Sequence, residues 1–177
     1  MLPDLGDEVR NEDHKENKRV AMESARAWLA ARGFEERIQT FTVSSATVEL
    51  AAQAVGVEPG CIAKTISLYD GESAMLILAA GDAKIDNHKV KEQFGRKPKM
   101  LSPEDALRFT GHAVGGICPF GLANPLRVFL DASLRRFPVV YPACGTASSA
   151  VQLTCSELEE VSEAMGWVDV CKLPEAE

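Results

Sequence analysis

The segment Gly111-His112-Ala113-Val114-Gly115-Gly116-Ile117-Cys118-Pro119-Phe120-Gly121 limits the fold more than any other part of the chain. Four glycines and a proline within eleven residues exclude a regular helix or strand. It must be a shaped loop. Without a Cβ, glycine lets main-chain N–H groups approach a ligand closely, so the loop can offer donors to an anion or to a polarised carbonyl oxygen. A tight connection that binds nothing has the same composition.

Around this loop the hydrophobic pattern sets out short elements. Residues 61–69 and 75–80 flank Asp70-Gly71 and read as a hairpin of buried strands. Helical periodicity runs from about Asp13 to Arg32, where Gly33 stops it, and a strand is expected over 37–43. Hydroxyls at Ser44, Ser45 and Thr47 can cap a helix that Gly56 ends, Asp86 caps one that Gly95 ends, and Ser102-Pro103-Glu104-Asp105 opens a third. Strands are expected again at 127–130, 138–143, 150–154 and 167–170, with Ser156 and Glu159 as a capping box and Gly166 closing that last helix. Short strands of mixed connection with interspersed helices predict a mixed α+β sheet. Residues 13–177 form a single domain in this reading, and residues 1–12 a flexible acidic arm.

The net charge of −7 argues against broad, sequence-independent binding to nucleic acid, so DNA is not an expected partner. The charge is uneven: Lys84, Lys89, Lys91, Arg96, Lys97 and Lys99 gather between residues 84 and 99. Such a cluster suits either a solvated helix face or one phosphate-bearing partner. No apolar run is long enough to span a bilayer, and the acidic start lacks the order of a signal peptide. The expectation is a cytoplasmic protein with no membrane partner. The cysteines, Cys61, Cys118, Cys144, Cys155 and Cys171, are odd in number and form no C-x-x-C pair. Neither they nor His14, His88 and His112 have metal-ligand spacing, so no metal and no cofactor are expected.

Three side chains invite chemistry. Lys64 stands among apolar neighbours in the first strand of the hairpin, where a lysine either snorkels from an edge or projects into a cleft to meet an anion. His112 reads as a base or as a loop histidine, and Cys118 as a nucleophile or as a small buried hydrophobe. No G-x-S-x-G elbow occurs. Lysine beside two small-residue loops, 111–121 and 144–149, suits hydrolysis by positioning: amides hold a carbonyl oxygen as it gains charge, and the ammonium meets a phosphate or ribose oxygen.

In order, the helix from Thr47 to Gly56, the strand lysine Lys64, Ile85-Asp86-Asn87-His88-Lys89-Val90, Ser102-Pro103-Glu104-Asp105, Thr110-Gly111, the run from Gly115 to Gly121 and the Gly145-Thr146 loop resemble the YbaK/ProX family of aminoacyl-tRNA deacylases. That family is also similar to the editing domain inserted in bacterial prolyl-tRNA synthetases. The resemblance implies a mixed, barrel-like β-sheet flanked by helices, and a trans-editing hydrolase that cleaves the ester of mischarged aminoacyl-tRNA. A non-catalytic module that binds an aminoacyl group or tRNA end beside a synthetase is the alternative. By position, Lys64, Gly115 and Gly116 are implied as the catalytic centre. Phe41, Ser45, His112, Ile117, Pro119, Phe120, Gly121, Gly145, Thr146 and Ser148 are implied to bind substrate. The implied partners are the acceptor end of a mischarged tRNA and an aminoacyl-tRNA synthetase.

Overall fold

The apolar run at residues 74–80 becomes the centre of a sheet. In a computed structural model, which describes residues 5–175 with side chains from residue 10 onward, β2 (Ile62–Asp70) and β3 (Ser73–Ala80) pair antiparallel. Gly71 turns between them at φ 63°. Seven of the eight β3 residues are buried, as a strand covered on both faces requires. On one face Ala63, Thr65 and Ser67 stand opposite Ala80, Leu78 and Leu76, and on the other Lys64, Ile66 and Leu68 stand opposite Ala79, Ile77 and Met75.

β5 (Arg127–Asp131) runs parallel to β3, β8 (Gly166–Val168) parallel to β5, and β6 (Tyr141–Pro142) parallel to β2, giving the order β6-β2-β3-β5-β8. Parallel neighbours need long crossovers. The crossover from β3 to β5 holds β4 (Lys84–Ile85), α3 (Asn87–Phe94), α4 (Pro103–Thr110) and the glycine loop. Two antiparallel pairs complete the strands, β1 (Ile38–Thr40) with β7 (Ser149–Val151), and β4 with β9 (Cys171–Lys172). The expected mixed, barrel-like sheet flanked by helices is present as a curled half-barrel.

Local capping set most helix limits. Thr47 accepts from the Leu50 N–H to start α2 (Val48–Val55), Asp86 caps α3 and Ser102 caps α4, and Gly56, Gly95 and Gly111 end them in the left-handed region. Three expectations shift. Helix α1 spans Leu5–Ala30 and takes in residues 5–12 of the expected arm, whose first four residues lie outside the described residues. The acids of that stretch suit the positive end of a helix dipole. α5 (Cys155–Val161) is opened by Thr154 and Glu157, not Ser156 and Glu159, because that register buries Leu158 and Val161. It ends before Gly166, which starts β8. The strand expected over 138–143 pairs in the five-stranded sheet only at Tyr141 and Pro142, because Val140 exchanges both its main-chain hydrogen bonds with Leu153 instead.

The Arg127 guanidinium forks onto Asp70, Nε to Oδ2 at 2.8 Å and Nη2 to Oδ1 at 2.9 Å, tying the β2–β3 turn to β5. That hydrogen bond holds the Asp70 carboxyl below its ordinary range. A depressed carboxylate contributes stability that is present above the unfolded value of about 3.9 and lost as pH falls through the folded one. Asp70→Asn should therefore cost about 1 kcal/mol at pH 7, a modest figure because Arg127 is partly exposed. The difference in urea midpoints should begin to shrink near about pH 4 and close only below the depressed folded value. Equal midpoints at pH 7 would refute it.

Among the described residues, no helix is long and apolar enough to cross a membrane.

Candidate functional site

The glycine loop and the 144–149 loop meet at one joint. A Cβ on Gly116 would fall 2.6 Å from Thr146 Cα, and Gly115, at φ 97°, fits against Ala46 and Ala147. The lead-in to α2 is stitched to the same place: the Phe41 N–H donates to Ser148 O at 2.8 Å, and Ser45 donates both its N–H and its hydroxyl to Ala147 O, the latter at 2.6 Å. Where these segments face β2 they enclose a cavity of about 350 Å³. Lys64, Gly115, Ser45 and Ile117, four of the residues that the resemblance implied, line it.

The Lys64 ammonium donates to the carbonyls of Gly81, at 3.3 Å, and of Ala83. Burial pushes its pKa below the ordinary lysine range, against the pull of Asp82 and Glu49. Arg136 already holds Asp82 in a fork, so the ammonium keeps carbonyl partners rather than a carboxylate. The two glycine amides differ. Gly116 N–H is spent on Ala113 O at 3.0 Å, whereas among the described residues Gly115 N–H has no partner.

The remaining sequence candidates lie elsewhere. Phe41, Thr146 and Ser148 border a groove of about 460 Å³ beside Lys18 and Arg19 of α1. Pro119 lines a separate depression next to Trp28. Gly121 and Gly145 press on the α1 backbone, where a Cβ would come within 2.5 Å of Ser24 O and of Ala21 O respectively. His112 and Phe120 are fully buried. Burial lowers the His112 pKa, so the ring is neutral and its Nε2 donates to Phe120 O at 2.9 Å. Cys118 lies 3.6 Å from that ring, and burial pushes its thiol far up and that of Cys144 to about 12. Neither yields a thiolate nucleophile. The single site expected over the two loops is thus divided, because several glycines are there to let backbones touch each other rather than a ligand. Sequence reasoning passed over Thr65, Val48, Leu101, Pro103 and Tyr141, which also line the cavity. Of these, Thr65, adjacent to Lys64, and Tyr141 carry a hydroxyl.

The basic stretch is partly committed to structure. Lys89 bonds Asp169 and Cys171 O, Arg96 reaches Asp70, and Lys99 lies over the Tyr69 ring.

A profile of the aminoacyl-tRNA editing domain matches residues 42–161, which include the α2 lead-in, Lys64 and both loops. The chain belongs to the aminoacyl-tRNA editing domain family. The uncharacterized protein YwhH of Bacillus subtilis is 49% identical over 154 residues, 86% of this chain and 98% of that one. A proline–tRNA ligase of Trichlorobacter lovleyi is 27% identical over 111 residues, 62% of this chain but only 19% of the ligase. Among solved structures, a candidate trans-editing enzyme for prolyl tRNA synthetase superposes with a TM-score of 0.78 at 31% identity, covering 86% of this editing-family chain and 97% of the other.

Proposed function

We propose that this editing-domain protein is a stand-alone deacylase that hydrolyses the ester between a wrong amino acid and the 3′ end of a tRNA in the cytoplasm. The observation that carries the reading is that Lys64 and the unpartnered amide-bearing Gly115 line one cavity in a chain of this family. Water adds to the ester carbonyl, whose oxygen gains charge opposite a main-chain N–H. The bond to the ribose oxygen breaks, that oxygen takes the proton, and free amino acid and tRNA leave. Among the described residues neither cysteine nor histidine lines the cavity, so its hydroxyls have no imidazole beside them to take a proton, and the nucleophile in this reading is water. The Lys64 ammonium reaches a phosphate or ribose oxygen of the terminal nucleotide by exchanging a carbonyl partner.

The overall negative charge fits a protein that holds only the acceptor end, without long contact along the tRNA. A panel of mischarged tRNAs, each incubated with catalytic amounts of the protein, tests this. Multiple turnovers on at least one are expected, and stoichiometric capture without release of amino acid would replace the reading with that of a binding module that serves a synthetase.

A further inference from the structure

β2 has an interrupted outer edge. At one end β6 covers Ile62 and Ala63. At the other, the Tyr69 N–H donates to Lys99 O at 2.9 Å and the Leu101 N–H to Ser67 O at 3.1 Å, so the main-chain groups of residues 67 and 69 point away from β3. Backbone direction alternates along an antiparallel strand, so the N–H and C=O of Thr65 point the same way. Between the two covers Thr65 stands alone: among the described residues its outward groups have no partner. The Thr65 hydroxyl is shielded from solvent and likewise has none. The cavity runs along this gap, because its lining takes residues of both faces of β2, Ile62 and Lys64 from one and Ala63, Thr65 and Ser67 from the other.

Resting on the deacylase reading, we infer that Thr65 is the binding residue for the aminoacyl group, which enters the gap as a strand one residue long. An extended aminoacyl group carries one nitrogen donor and one carbonyl acceptor on the same side, the pair that Thr65 complements. The α-ammonium donates to the Thr65 carbonyl and, once rotation about χ1 turns it to the slot, to the hydroxyl, and the ester carbonyl accepts from the Thr65 N–H. In the antiparallel sense the ester end points toward the start of β2, where Lys64 sits and the terminal nucleotide must lie. The amino end points toward Ser67 and Leu101, whose hydrogen bond closes the slot. Any acyl group on the substrate nitrogen would collide there, so the site accepts only amino acids with a free α-amino group.

Two ratios test this. Hydrolysis is compared on aminoacyl-tRNAs before and after N-acetylation. Binding is compared by calorimetry for alanyl, seryl and cysteinyl adenosines joined through a 3′-amide, with and without an N-acetyl group. Free-amine forms should be favoured about 100-fold in each, the loss of a charge-assisted hydrogen bond with a steric block. Thr65→Val, which keeps shape and backbone, should weaken the free-amine amides about tenfold and leave the acetylated ones unchanged. Preferences within threefold of unity would overturn the slot while the deacylase reading stands. A binding preference without any hydrolysis would keep the slot and overturn the deacylase reading. If no probe binds and no tRNA is hydrolysed, both fall.

Discussion

Lys64→Ala is expected to lower hydrolysis of the best mischarged tRNA by about two powers of ten, the usual size for losing one charged or preorganised group from a reacting centre. The same ammonium also straps Gly81 and Ala83, so part of its loss is structural. Lys64→Met, which keeps the apolar stem, should lose activity to the same extent yet unfold closer to the native midpoint. Titration gives a second, independent signature. Burial depresses the Lys64 pKa, so the active, protonated form is lost as pH rises through a value below the ordinary lysine range. After subtraction of spontaneous ester hydrolysis, the native rate should fall on the alkaline side of that value, and the Met variant should show no such limb. Stability runs the other way: between the folded value and about 10.4 the unfolded chain binds the extra proton, so stability rises with pH where activity falls. Equal hydrolysis by native and Met proteins, assayed well below their unfolding midpoints, would remove Lys64 from the mechanism.

What the sequence disclosed followed from how local each signal is. The caps at Thr47, Asp86 and Ser102 and their glycine stops depend on neighbours within four residues, and each is found where its residues stand. The capping box of α5 slipped by two because Thr154-x-x-Glu157 and Ser156-x-x-Glu159 overlap, and only the burial of Leu158 and Val161 decides between them. The Thr65 gap was invisible for a stronger reason. It exists because β6, from some eighty residues later, stops at Ala63 while Leu101 begins at Ser67, and no pattern within β2 records where its neighbours end. Likewise a glycine freed for a ligand and one freed for another loop read alike. Gly115 borders the cavity, whereas Gly121 and Gly145 serve α1 and Gly116 serves Thr146.

That last distinction makes Gly116→Ala the loop substitution that tests the joint beside the cavity, with a large expected effect. Its Cβ would lie 2.6 to 2.7 Å from the Thr146 N, Cα and C atoms, all backbone, so no side chain can swing aside. One loop must retreat by most of an ångström, at an overpacking cost of about 3 kcal/mol. Gly166→Ala is the control: nothing lies within 4 Å of its Cβ, and the change should leave the unfolding midpoint nearly unmoved. Activity should suffer beyond the stability loss, because Gly115 is the next residue and its free N–H rides on the same joint. A displacement of about 1 Å at a reacting centre typically costs about a hundredfold. Folded Gly116→Ala protein, verified by its melting curve, should therefore bind the amide-linked aminoacyl adenosines, whose main contacts lie on β2, far better than it hydrolyses the matching ester. Hydrolysis at the native rate by this variant would mean that the loop joint places nothing the reaction needs, and the catalytic centre would have to be sought along β2 alone.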